Sequence, residues 1–227
     1  MGRKRPIDLL PAEKPDHDGR FHIELKNQWQ KEAWDLIWKN ENRLILLEGE
    51  AGTGKTFIAT AAVCKALLDK RTRKIHLCRP YVSAHEQYGY LKGDLNEKLA
   101  PILLPVMDII EQLSTGGDRK KIEEALVYDA LGFLRGRTFT NWVLADEIQN
   151  ASFDQLKLLA TRIGKGCKMI CSYDPSQVDN INSGIIGFTK QIKGINGVVN
   201  YKFPPQSQVR EPIVQDILAA FNKRITE

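Results

Sequence analysis

The sequence predicts a three-layer α/β domain, a mostly parallel central sheet flanked by helices. Three observations predict it. Short apolar runs at residues 44–47, 74–78, 142–145, 168–172 and 198–202 read as buried strands. Helix-forming stretches lie between them, as in βαβ units. The first run also enters Gly49-Glu50-Ala51-Gly52-Thr53-Gly54-Lys55-Thr56, which fits G-x-x-x-x-G-K-[ST] at every fixed slot.

That octet organises the chain. Its glycines let the backbone curl so that N–H groups point at one anion, and the helix behind it adds a positive dipole end. Gly49, Glu50, Ala51, Gly52, Thr53 and Gly54 are the cradle, Lys55 reaches the β and γ phosphates, and Thr56 offers a hydroxyl to Mg²⁺. A plain glycine turn is the alternative. The strand before the octet and the helix formers after it favour the phosphate loop.

The chain has 227 residues, 42% of them hydrophobic, enough for one large domain with a core. A net charge of +5 permits a polyanionic partner without requiring one. No apolar stretch has the length of a membrane span and no start resembles a signal peptide, so a cytoplasmic location is expected. The four cysteines form no C-x-x-C pair, which argues for reduced thiols and against zinc.

Residues 1–26, with Pro6, Pro11 and Pro15, read as an N-terminal arm, and residues 27–227 as the domain. The first helix spans 27–38, with Trp29, Ala33 and Ile37 on one stripe. Gln28 near its start reads in two ways, as an adenine-binding amide or as a solvent-facing side chain. Residues 81–93 interleave Tyr81, His85, Tyr88 and Tyr90 with Lys92. That pattern suits stacking on unpaired bases, and equally a loop pinned to a core. Residues 94–113 predict a helix interrupted by Pro101 and Pro105, and 119–126 another. Together they form a helical insertion at about 94–130.

The strand at 142–145 runs into Asp146-Glu147. Adjacent acids at a strand end are costly unless a metal and a solvated cleft receive them. Asp146 would hold Mg²⁺ through water opposite Thr56, and Glu147 would polarise the attacking water. Ser152 caps a helix at 153–163. After the 168–172 strand comes Asp174-Pro175-Ser176-Gln177, at the carboxyl end where ligands collect in such sheets. Gln177 there reads as a γ-phosphate or water contact. A final helix is expected at 207–223, with Arg210 near its start.

These blocks together resemble the PhoH-like ATPases, a single RecA-like P-loop core related to superfamily-one helicases. The matching pieces are the phosphate loop, Arg79-Pro80, Phe133-Leu134-Arg135-Gly136-Arg137-Thr138, Asp146-Glu147-Ile148-Gln149-Asn150, Thr161-Arg162-Ile163-Gly164, Asp174-Pro175-Ser176-Gln177-Val178-Asp179, Ser183-Gly184 and Val209-Arg210. The likeness runs from about residue 27 to 220. It implies ATP hydrolysis with Mg²⁺, coupling to RNA or single-stranded DNA, and a homo-oligomeric ring, a hexamer. A lone core lacks the second domain that gives helicases a transition-state arginine, so a neighbouring subunit is expected to supply one, Arg210 first and Arg135, Arg137 or Arg162 behind it. This chain departs from the family at Tyr173, Leu91-Lys92-Gly93, Ser207 and Glu211-Pro212, where the family usually has glycine, Leu-Pro-Gly, an acid and His-Pro. Tyrosine resists the positive φ that glycine allows.

Two other functions compete with a nucleic-acid motor. One is a nucleotide-gated assembly protein, the other a small-molecule phosphotransferase. No acceptor pocket or lid is legible for the second.

Overall fold

A computed structural model describes residues 21–80, 95–131, 134–178, 180, 182–211, 213, 214, 216, 217 and 220. The expected stacking stretch at 81–93 and most of the arm lie outside the described residues. The end of the arm is extended, with Phe21 and Leu25 packed on the core and the His22 N–H donating to Leu113 O at 2.8 Å.

Six strands form one sheet: β1 (Leu44–Glu48), β2 (Ile75–Arg79), β3 (Leu126–Ala130), β4 (Trp142–Ala145), β5 (Met169–Tyr173) and β6 (Val198–Lys202). Their order is β3-β2-β4-β5-β1-β6, and every neighbouring pair is parallel. The inner strands are apolar on both faces because helices cover both. Along β1 the side chains alternate. Ile45 and Leu47 join one core with α1 (Gln28–Trp38), α2 (Lys55–Leu68), α3 (Leu95–Leu113) and α4 (Gly116–Ala125). Leu44 and Leu46 join a second core with α5 (Phe153–Ala160) and α6 (Ile185–Gln191). The chain thus leaves β1 toward one face and β4 toward the other, which opens a crevice at the carboxyl edge.

Three expectations need correction. Pro101 and Pro105 do not interrupt α3. Each proline costs roughly 3 kcal/mol in a helix interior. Val106 and Ile110, fully buried, with Leu103 and Met107 against the same core, return a comparable amount at about 1.5–3 kcal/mol per buried side chain. The insertion is not wholly helical either, since it ends in edge strand β3. Buried Asp129 hides the strand pattern of Leu126-Val127-Tyr128-Asp129-Ala130. It is tolerated because the His76 ring and the Arg137 guanidinium both pair with it.

The last helix does not begin at Ser207. That hydroxyl closes a tight turn onto Pro204 O, and the next residues bond to the phosphate loop. Among the described residues after that turn, Ile213 is the first with helical backbone.

Candidate functional site

The octet lies between β1 and α2. Gly52 and Gly54 have φ of 89° and 88°, a region that side-chain-bearing residues avoid. Gly54 is the N-cap of α2, whose first turn carries no acid, so the positive helix end faces the crevice. The Thr53 hydroxyl donates to Glu50 O at 2.9 Å and pins the curl. The Lys55 ammonium donates to Gly49 O at 2.6 Å and Glu50 O at 2.8 Å. Burial holds its pKa below the usual lysine range, against the opposing pull of Asp174, Glu147 and Asp146, while Arg210 adds to the lowering. Three acids and a second cation therefore surround one ammonium.

The end of β4 meets the loop directly. Asp146, 2% exposed, accepts from the Thr56 hydroxyl at 2.9 Å and from the Ser172 hydroxyl. Ser172 on β5 is a partner that no sequence pattern signalled. Glu147 sits at φ 57°, ψ 37°, a left-handed conformation costing on the order of 1–3 kcal/mol outside glycine. The Gln149 amide donates to its carboxylate and accepts from Asp174 N at 3.2 Å.

Two of the expected glutamines, Gln28 and Gln177, are exposed, and other glutamines stand against the loop and the acidic strand end. Gln28 is exposed on α1, and it is buried Gln30 that touches the loop, donating to Thr53 O at 3.2 Å and accepting from Lys26 N at 2.8 Å. Gln177 is exposed because Asp174 Oδ1 accepts from Ser176 N at 2.9 Å and Ser176 Oγ at 2.6 Å, turning the chain outward. Buried Gln149 instead reaches Glu147. Both inner glutamines stood in blocks read from the sequence, and only their burial tells them apart.

Residues 203–210 strap the loop from outside. Val209 N donates to Gly52 O at 2.8 Å, the Gln208 amide to Glu50 Oε2 at 2.8 Å, and the Asn27 amide to Ser207 O at 3.0 Å. Arg210 lies across Gly52, where a Cβ would collide with it. Arg210 is thus beside its own chain's loop. Arg137 is paired with Asp129, Arg162 donates to Leu158 O and Arg137 O, and Arg135 is exposed.

Tyr173 ends β5 in extended backbone, so the glycine usual there is not required for backbone geometry. Its hydroxyl donates to Glu48 Oε2 at 2.6 Å, one residue before the loop. The departure from glycine is a tether under the phosphate cradle.

The acids fit a magnesium–nucleotide pair. Asp174 Oδ2 is buried without a hydrogen-bond partner, and its carboxylate is one of the charges acting on Lys55. Among the described residues no three His, Cys, Asp or Glu side chains make a metal cage. Mg²⁺ bound beside phosphates uses one or two carboxylates and needs none. The four cysteines are free and buried, and burial pushes the Cys64 and Cys167 thiols up to about 12. No helix of the described residues is long and apolar enough to cross a membrane.

Comparison with known proteins agrees with the motif order. A "PhoH-like protein" from Bacillus subtilis is 35% identical over 208 residues, 89% of this chain and 65% of that protein. One from Synechocystis is 39% identical over 185 residues, 77% of this chain and 55% of its own length. The chain therefore spans between half and two thirds of these relatives. Among solved structures, the UvsW helicase from bacteriophage T4 aligns over 78% of this chain and 60% of its own, at a TM-score of 0.46 and 13% identity. The family model described as PhoH-like protein matches residues 22–222, nearly the whole length, and the chain belongs to that family.

Proposed function

We propose that this chain binds ATP with Mg²⁺ and hydrolyses it to ADP and phosphate, in a cycle coupled to RNA or single-stranded DNA. The observation that carries the reading is the Thr56–Asp146 hydrogen bond. It joins the phosphate loop to the acidic strand end at the positive terminus of α2.

The roles follow from position. Backbone N–H groups from Gly49 to Gly54 receive the phosphates, and Lys55 exchanges its two carbonyl partners for phosphate oxygens. Thr56 and Asp146 are the residues that would hold Mg²⁺, which supplies charge neutralisation on the β and γ oxygens. Glu147 is the general base, aimed by its strained backbone. Gln149 orients it and senses the Asp174 turn. Exposed Gln28 remains the adenine candidate, with Gln30 as support for the loop. Gln177 faces outward, open to a strand or a neighbouring subunit.

Arg210 is assigned to its own chain's phosphates, because it lies on its own Gly52. In a homo-oligomeric ring such as a hexamer, the arginine from a neighbour would then be Arg135 or Arg162. ATP turnover with and without single-stranded RNA or DNA tests the reading. No turnover in the presence of Mg²⁺ overturns hydrolysis, and turnover that ignores every nucleic acid overturns the coupling.

A second reading has one specific observation behind it. The strap bonds Gln208 and Val209 to the phosphate loop, a contact through which a nucleotide-gated assembly protein would read nucleotide occupancy. An oligomer mass that is identical with ATP, ADP or neither removes it.

A further inference from the structure

The opposite edge of the sheet carries a second feature. The residues just before β2, β4, β5 and β1, four adjacent strands, are Lys74, Asn141, Lys168 and Arg43. Neighbouring strands lie about 4.8 Å apart, so these groups form a row along the amino edge. A cavity of ≈ 510 Å³ opens there, lined by Asn40, Arg43, Arg71, Trp142, Gly166, Cys167 and Lys168. A second, of ≈ 370 Å³, shares Arg71 and continues past Lys70 and Arg73.

The cations are fixed in place. Arg43 donates to Cys167 O and Gly164 O, both at 2.7 Å. The Arg71 guanidinium lies 4.8 Å over the Trp38 ring, and the Lys168 ammonium 5.3 Å over the Trp142 ring. Lys168, 6% exposed, also donates to Ile37 O and Lys39 O. Among the described residues none of the three is ion-paired with a carboxylate. Glu41 is the one acid acting on Lys168. Burial, then Arg71 and Arg43, bring the Lys168 pKa down to about 8. Like charges held around one concavity repel unless an anion joins them.

We propose that this cavity is a binding site for phosphate groups, separate from the nucleotide crevice and on the opposite edge of the sheet. Arg71 and Arg43 are the donors to the phosphate oxygens, and Lys168 supplies buried charge behind them. The source is either a free phosphate compound or the backbone of a single-stranded nucleic acid.

Titration of the ¹⁵N-labelled full chain with sodium pyrophosphate, and separately with a short single-stranded RNA, tests this. The Gly166 and Cys167 amides report the cavity, while Gly52 and Gly54 report the phosphate loop independently. The expected result is a saturable shift at Gly166 and Cys167, weakened about tenfold or more by Arg71→Glu. Lys120→Glu on α4 should leave it unchanged, and Arg71→Gln serves if the reversed charge disturbs folding. ATP turnover measured without nucleic acid should not change in any of these variants. A shift with RNA assigns the nucleic-acid backbone, and a shift with pyrophosphate alone assigns free phosphate compounds. No saturable shift at these amides with either probe, or equal affinity after Arg71 is replaced, overturns the proposal.

Discussion

Replacing Tyr173 with phenylalanine isolates the tether beneath the phosphate loop. Phenylalanine keeps the buried ring and removes only the hydroxyl, which donates to Glu48 at 2.6 Å. A hydrogen bond to a charged group is worth about 1.5–3 kcal/mol. Glu48 keeps Lys202 at 3.0 Å and the Asn200 amide at 3.2 Å, so the low end applies, about 1.5 kcal/mol. For a domain of this size that is roughly 3–6 °C in Tm. The pH dependence has a definite sign. Burial raises the Glu48 pKa, but its hydrogen bonds to Tyr173, Lys202 and Asn200 together outweigh that and leave it below the ordinary 4.5. A lowered carboxylate pKa means stability present above the unfolded value and lost as pH falls through the folded one. The Tyr173→Phe deficit should therefore be full at pH 7 and shrink below about pH 4.5. Urea midpoints of both proteins from pH 7 down to pH 3.5 measure it. Equal midpoints at pH 7, or a deficit that ignores pH, would refute the tether.

Other predictions concern the crevice and the sheet edges. Lys55→Ala should abolish ATP turnover, while Glu147→Gln should still bind ATP and hydrolyse it very slowly. Near-normal turnover of the second variant contradicts Glu147 as base. Asp129→Asn leaves His76 and Arg137 without their shared carboxylate and should cost about 3 kcal/mol in urea unfolding, the low end because Arg137 is half-exposed. Loss of under about 1 kcal/mol contradicts that pairing. Lys168, with a folded pKa of about 8, binds fewer protons folded than unfolded between pH 8 and 10. Stability of the native chain should rise over that window relative to Lys168→Met, and a parallel course contradicts the burial of its charge.

What the sequence revealed was local chemistry. The phosphate loop, the acidic strand end and five of the six strands are contiguous stretches whose composition dictates their conformation. What it hid is settled between distant segments. β3 reads poorly because Asp129 is buried by a histidine on β2 and an arginine eight residues on. α3 survives two prolines only because its apolar stripe packs on α2. Gln30 and Gln149 differ from Gln28 and Gln177 by which way a helix stripe and a turn point them. Nothing in the sequence signalled that the strap brings Arg210 over its own Gly52.

The most direct measurement is ATP affinity with and without Mg²⁺, in the native chain and in Asp146→Asn. One shared site predicts saturable binding that Mg²⁺ strengthens, with that gain cut about tenfold or more in the variant. Absence of saturation, or the same Mg²⁺ gain in both proteins, would contradict a site built jointly by Thr56 and Asp146.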